Sequence, residues 1–174
     1  MTEEIATAAG GAELVAADGD RWTLVFVREF RHAPIVVWSA LTEPEQLDQW
    51  APFVPVRDLG SLGETTLTMV DGAAREDVPA VVTRAEAPSL LQYSWGGDLL
   101  RWELEESPGG TRLILRHTLS HPGMEAMVAA GWHLCAEVLR RLLDGRPAGV
   151  IRGSDAMNHG FEELREGYAK LFAI

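Results

Sequence analysis

A chain of 174 residues with 47% hydrophobic and 24% charged side chains has the make-up of one globular domain, large enough to bury a core without disulfides or a structural metal. Its formal net charge of -11, with Lys and Arg scattered rather than gathered into a stripe, opposes the phosphate field of nucleic acid and removes that partner from expectation. No apolar run reaches the roughly eighteen residues of a membrane span. Cys135 is the single cysteine, and Met1 to Val15 lack the basic flank and apolar stretch of a signal peptide, so a cytoplasmic protein is expected.

In chain order, residues 1–20 are rich in Ala, Gly and acidic side chains without a hydrophobic period, and read as a partly ordered arm. Trp22 to Arg31 is the first strand, with Trp22, Leu24, Phe26 and Phe30 on one face and Arg28 interrupting it. Pro34 suits a first helical turn, and Val37, Trp38 and Leu41 follow at helical spacing. Thr42-Glu43-Pro44-Glu45 has the S/T-x-x-E pattern of a capping box and predicts a second short helix carrying Leu47 and Trp50, stopped by Pro52 and Pro55.

Six extended segments come next: Val54 to Asp58, Glu64 to Val70, Asp77 to Glu86, Leu90 to Trp95, Leu99 to Glu106 and Arg112 to Leu119. Gly, Pro and Asp-Gly separators join them closely, which implies an antiparallel meander. Leu100, Trp102 and Leu104 alternate with Arg101, Glu103 and Glu105, so one sheet face is wet and the other covered. The cover is a helix from about Met124 to Leu143, striped by Met124, Met127, Val128, Gly131, Leu134, Cys135, Val138 and Leu142. Asp144 to Pro147 end it, residues 148–160 form an irregular link, and Phe161, Leu164, Tyr168, Leu171 and Phe172 mark a docking helix.

Arg28-Glu29-Phe30 before Ala33-Pro34, the run Val37 to Leu47 with Trp50, Tyr93-Ser94-Trp95, and Gly131-Trp132 together resemble the START-like or SRPBCC (birch-pollen-allergen-like) superfamily. Within it they resemble the bacterial family related to the activator of the ninety-kilodalton heat-shock-protein ATPase. The resemblance, over roughly residues 22 to 144, implies an α+β helix-grip fold: a curved seven-stranded antiparallel sheet wrapped around a long C-terminal helix, with two short helices after the first strand; the spacing in the tail adds an extra C-terminal helix. It divides the chain into an arm (1–20), a START-like ligand-binding domain (21–144) and a C-terminal extension (145–174). It also implies an internal cavity for apolar or amphipathic small molecules, bounded by the concave sheet, the second helix and the long helix.

Candidate site residues follow from type and position. Trp50, Trp95, Trp102 and Trp132 fall on elements that surround one space, where aromatic walls suit a flat apolar ligand and equally fill a core. Trp22 and Trp38 read as packing anchors. His117 shares a face with Leu113, Leu115 and Leu119, as a satisfied core histidine or a polar contact within the cavity. Arg28 needs a carboxylate or a wet cavity if its strand continues, and reaches water if the strand ends near Glu29. Met127, with Met124, suits an adaptable rim or plain core, and Tyr93 is a polar candidate beside His117. Cys135 reads as a small buried apolar side chain, and His133 with Glu137 as a solvated helix pair rather than a metal site.

Three functions stay open. The leading one is non-covalent binding of a small hydrophobic ligand, with Arg28, Trp50, Tyr93, Trp95, Trp102, His117, Met127 and Trp132 as binding residues. No catalytic residue is assigned, and no metal or cofactor is expected. The alternatives are a cyclase-like, aromatase-like or hydrolytic enzyme using His117 and Tyr93, and a co-chaperone-like interaction module. A homodimer is left open.

Overall fold

A computed structural model describes residues 8–174; the first seven residues of the expected N-terminal arm lie outside the described residues. The strands are β1 (Ala12–Ala16), β2 (Trp22–Phe30), β3 (Phe53–Pro55), β4 (Gly63–Asp71), β5 (Ala74–Glu86), β6 (Leu90–Trp95), β7 (Asp98–Ser107) and β8 (Gly110–Thr118). The helices are α1 (Pro34–Thr42), α2 (Pro44–Leu47), α3 (Glu125–Leu143) and α4 (Phe161–Phe172), with a 3-10 helix at Gly153–His159.

All strands join one antiparallel sheet in the order β1-β2-β8-β7-β6-β5-β4-β3. It has eight strands, one more than the seven expected. The addition is β1, inside the segment read as an arm, whose residues pair from Ala12 with Phe26 to Ala16 with Trp22. Its own sequence has little hydrophobic alternation. What makes it a strand is the unpaired edge of β2, a partner that a local period does not reveal.

The break between the two short helices also differs from expectation. Thr42 is the last residue of α1, and its hydroxyl donates back to the Trp38 carbonyl at 2.9 Å rather than capping α2. Glu43 takes the extended geometry, φ -81° and ψ 123°, and caps α2 only through its backbone. Pro44 explains the shift, because its ring drives the preceding residue out of the helical region.

Between sheet and α3 lies the core. The inward row of β7 (Leu100, Trp102, Leu104) and that of β8 (Leu113, Leu115, His117) are buried, and so are Leu24, Phe26 and Phe30 of β2. α3 is covered by the sheet on one side and α4 on another, so Ala129, Ala130, His133 and Leu139 are buried outside the predicted stripe, while Met124 and Met127 are each 41% exposed.

Residues 145–174 are fastened at three places. The Arg152 guanidinium donates to the Ala51 carbonyl at 2.7 Å and the Leu47 carbonyl at 3.3 Å, and meets Asp48 Oδ1 at 3.1 Å. Ser154 donates through its backbone N–H and its hydroxyl to Asp71 Oδ1, both at 3.2 Å; the neighbouring Gly153, at φ +55°, leaves no room for a Cβ, which would lie 2.2 Å from Asp71 Cγ. Leu164 and Tyr168 of α4 are fully buried.

Candidate ligand cavity

Two of the spaces along α3 differ sharply in size. The smaller, about 20 Å³, is bordered by Phe26, Arg28, Phe30, Trp50, Trp102, Leu113, Leu115, Trp132, Ala136 and Leu139. The larger, about 500 Å³, opens where the β6–β7 turn, α3 and the C-terminal extension meet. Its apolar walls are Pro52, Val78, Trp95, Val128, Trp132, Leu134, Ile151, Ala156 and Phe161. Its polar walls are Asp98, His117, Ser120, His121, Cys135 and Arg152. Gly97, His121 and Gly153 are exposed wall residues and mark its mouth.

A ring network holds the walls. Trp50 and Trp102 meet edge to face at 6.2 Å between centroids, Trp102 and Trp132 at 5.3 Å, Trp132 and Trp95 at 6.1 Å, and Trp95 and Phe53 at 5.0 Å. Such geometry aligns ring edges with ring faces and adds to simple area burial. Each indole N–H of this network has an acceptor: Ala40 O for Trp50, Met69 Sδ for Trp95, Tyr93 Oη for Trp102 and His117 Nδ1 for Trp132.

The last of these bonds fixes the polar centre. An indole N–H can only donate, so the Trp132 bond of 2.9 Å makes His117 Nδ1 the acceptor. The imidazole proton therefore sits on Nε2, which donates to Asp98 Oδ2 at 2.7 Å. Asp98 Oδ1 accepts from the Ser120 backbone N–H at 2.9 Å and the Ser120 hydroxyl at 2.7 Å. Burial pushes the Asp98 carboxyl up, but the hydrogen bonds from His117 and Ser120 outweigh it and bring it down to about 2. Burial pushes the Cys135 thiol up to about 12, with the charge of Arg152 acting against the rise. That wall atom is a thiol, not a thiolate.

The structure brings Trp95, His117 and Trp132 together at the large cavity. It places Trp50 and Trp102 at the small one, and α2 itself supplies no wall of the large one. Tyr93 borders neither: it is 1% exposed, its hydroxyl accepts from Trp102, and burial drives its ionisation far upward against the effect of that bond. Met127 points to solvent.

Arg28 borders the small space, but its donors are engaged. They reach Gly10 O at 3.1 Å, Val27 O at 2.8 Å and Tyr168 Oη at 2.9 Å, and the guanidinium carbon lies 3.8 Å from the centre of the Phe26 ring. Among the described residues it fastens α4 to the sheet without a carboxylate. The solvated pair expected of His133 and Glu137 is corrected. His133 is 6% exposed with Nδ1 at 2.8 Å from Tyr168 Oη, because α4 covers that face of α3, and Glu137 pairs with Arg140 at 2.9 Å. Among the described residues, no group of three or more His, Cys, Asp or Glu side chains is placed to hold a metal.

Asp98, Ser120, Arg152 and the tail residues of the wall escaped the sequence reading. Asp98 carried a usable signal, since it has the parity of Leu100, Trp102 and Leu104 and continues their inward row back to the glycine turn. Arg152 carried none, because its partners on α2 are about a hundred residues away.

Sheet, gripped helix and lateral cavity define a helix-grip protein of the START/SRPBCC-like fold. The chain belongs to the family described as activator of Hsp90 ATPase homolog 1-like protein, whose model matches residues 31–144. Among solved structures, it is similar to a conserved protein of unknown function from Enterococcus faecalis, with TM-score 0.70 and 18% identity over 92% of this chain and 89% of that one. It is also similar to CalU16 from Micromonospora echinospora, with TM-score 0.66 and 23% identity over 93% and 98%. An AHSA1 protein from Silicibacter pomeroyi aligns with TM-score 0.60 and 25% identity over 70% and 97%. The first two coverages are too large to leave out all of residues 145–174, so part of the tail has a counterpart in both folds. No curated protein matches the chain.

Proposed function

We propose that this protein binds a small amphipathic molecule in the cavity of about 500 Å³. The observation that carries the reading is a preformed, largely apolar space in which the polar groups converge on one hydrogen-bonded pair, Asp98 and His117. That is the usual division of labour in small-molecule sites: apolar walls supply affinity and a few placed polar groups supply orientation. The enzymatic alternative draws no comparable support. It needs a free ring nitrogen on His117, and both are engaged, while Tyr93 is buried away from the space.

Gly131 provides the test. It borders the cavity from α3, and a Cβ placed there meets nothing within 4 Å. Gly131→Leu is expected to fill the space, to melt no lower than the wild type because a helix-interior glycine is replaced, and to lose binding by about tenfold or more. A mixed apolar and amphipathic library read by thermal shift and native mass spectrometry checks it. A wild type that takes up no member, or a leucine variant that binds as before, sinks the reading.

A further inference from the structure

Given that the cavity is a ligand site, we propose that its ligand is a cationic amphiphile: an apolar or aromatic body bearing one protonated amine, seated against the Asp98 carboxylate beside Trp95 and Trp132. The argument begins at the indole. Because Trp132 donates to His117 Nδ1, the imidazole holds its single proton on Nε2 and is uncharged in this arrangement. His117 thus gives Asp98 a hydrogen bond and no compensating charge. Ser120 contributes two further neutral donors.

The other charged wall residue is turned away. Each guanidinium nitrogen of Arg152 is directed to the end of α2 or the residues just after it, at the Ala51 carbonyl, the Leu47 carbonyl and Asp48, and the only ion-pairing group within 4 Å of Asp98 among the described residues is His117 itself. The carboxylate is nevertheless within reach, its side chain 21% exposed, and three neutral donors do not saturate the roughly four acceptor directions of a carboxylate. A neutral or anionic ligand would strip water from this charge without replacing it. An ammonium replaces it, and Trp95, which lines the same cavity with its ring centroid 5.8 Å from the His117 ring, offers aromatic surface close by, while Trp132 keeps its indole N–H edge on His117. The chain's net charge of -11 draws cations toward the mouth as well.

Titration calorimetry with three probes of one body, naphthylethylamine, naphthylethanol and naphthylacetate, tests this at about pH 8, where free histidine is uncharged. The amine is expected to bind about tenfold tighter than the alcohol, and the acetate weaker still. Asp98→Asn is expected to erase the preference for the amine over the alcohol. Should that variant not fold, the wild type in rising salt decides, since the amine preference must shrink as the ion pair is screened. An alcohol that binds as tightly as the amine, or an amine preference that survives Asp98→Asn or is indifferent to salt, overturns the cationic ligand and leaves the cavity reading standing. Binding of none of the three overturns both.

Discussion

Trp102 on β7 and Trp95 on β6 project from the same face of the sheet under the same helix, yet one closes a space and the other opens onto one. Trp102 is 3% exposed, has Trp50 and Trp132 edge-on at 6.2 and 5.3 Å, and borders a void of only about 20 Å³. Trp95 is half-buried and faces about 500 Å³. What differs is the residue opposite. At the closed end Trp50, placed just after α2 and held by the Ala40 carbonyl, fills the gap. At the open end Gly131 and Ala156 stand where a large side chain would fill it. Aromatic content does not make the cavity; the size of the facing side chain does.

The comparison breaks most directly at the tryptophans. Trp102→Ala is expected to destabilise by about 3–5 kcal/mol, the range for removing a large ring from a packed core, and Trp95→Ala by roughly half of that or less, because its ring already meets open space. Urea unfolding of both variants measures the difference. Equal losses would mean that the large cavity collapses around Trp95 in solution and that the two ends do not differ.

Next in size comes the wall that only the open end has. Arg152→Ala removes three polar contacts to the end of α2 and is expected to cost about 1–3 kcal/mol. Hydrogen exchange sharpens the point. Amides of residues 150–172 should exchange faster in the variant while those of β7 and β8 keep their protection, as expected of a locally opening unit. Equal acceleration in tail and sheet would make the extension part of the one cooperative core rather than a separable wall.

How much of this could be read in advance divides along the same line. Elements set by local period and by proline or glycine, such as the strand carrying Leu100, Trp102 and Leu104 or the Pro34 helix, lie within a few residues of their expected places. The tryptophans of the closed end were placed between sheet and long helix for the same reason. β1 has no hydrophobic alternation of its own and becomes a strand by pairing with the edge of β2 across a short hairpin, and the cavity mouth depends on the fastening of Arg152 to a segment far back in the chain. Polar residues gave the weakest signal. Asp98 lies just outside the strand expected from Leu99 to Glu106, and the state of His117 is set by the donor bond from Trp132.

The smallest expected effect is a difference in acid response between the ends, and it follows from Asp98. Its carboxyl lies at about 2 in the fold against an ordinary 3.8. A folded value below the unfolded one stabilises the fold when the group is ionised, so the contribution is complete above about pH 4 and is lost as pH falls through about 2. Its size is on the order of 1 kcal/mol once solvent screening of a partly exposed carboxylate is allowed for. The closed end has no counterpart, because no carboxylate borders its small space among the described residues. Asp98→Asn should therefore start less stable than the wild type at neutral pH and converge on it between about pH 4 and 2. The Asn carboxamide is also mismatched: if its N–H₂ faces His117 Nε2–H, two donors meet, since Trp132 already holds Nδ1 as acceptor. Unfolding free energies of the two proteins measured across that range decide it: curves that fall in parallel would show that the Asp98 carboxylate contributes nothing specific in its ionised form.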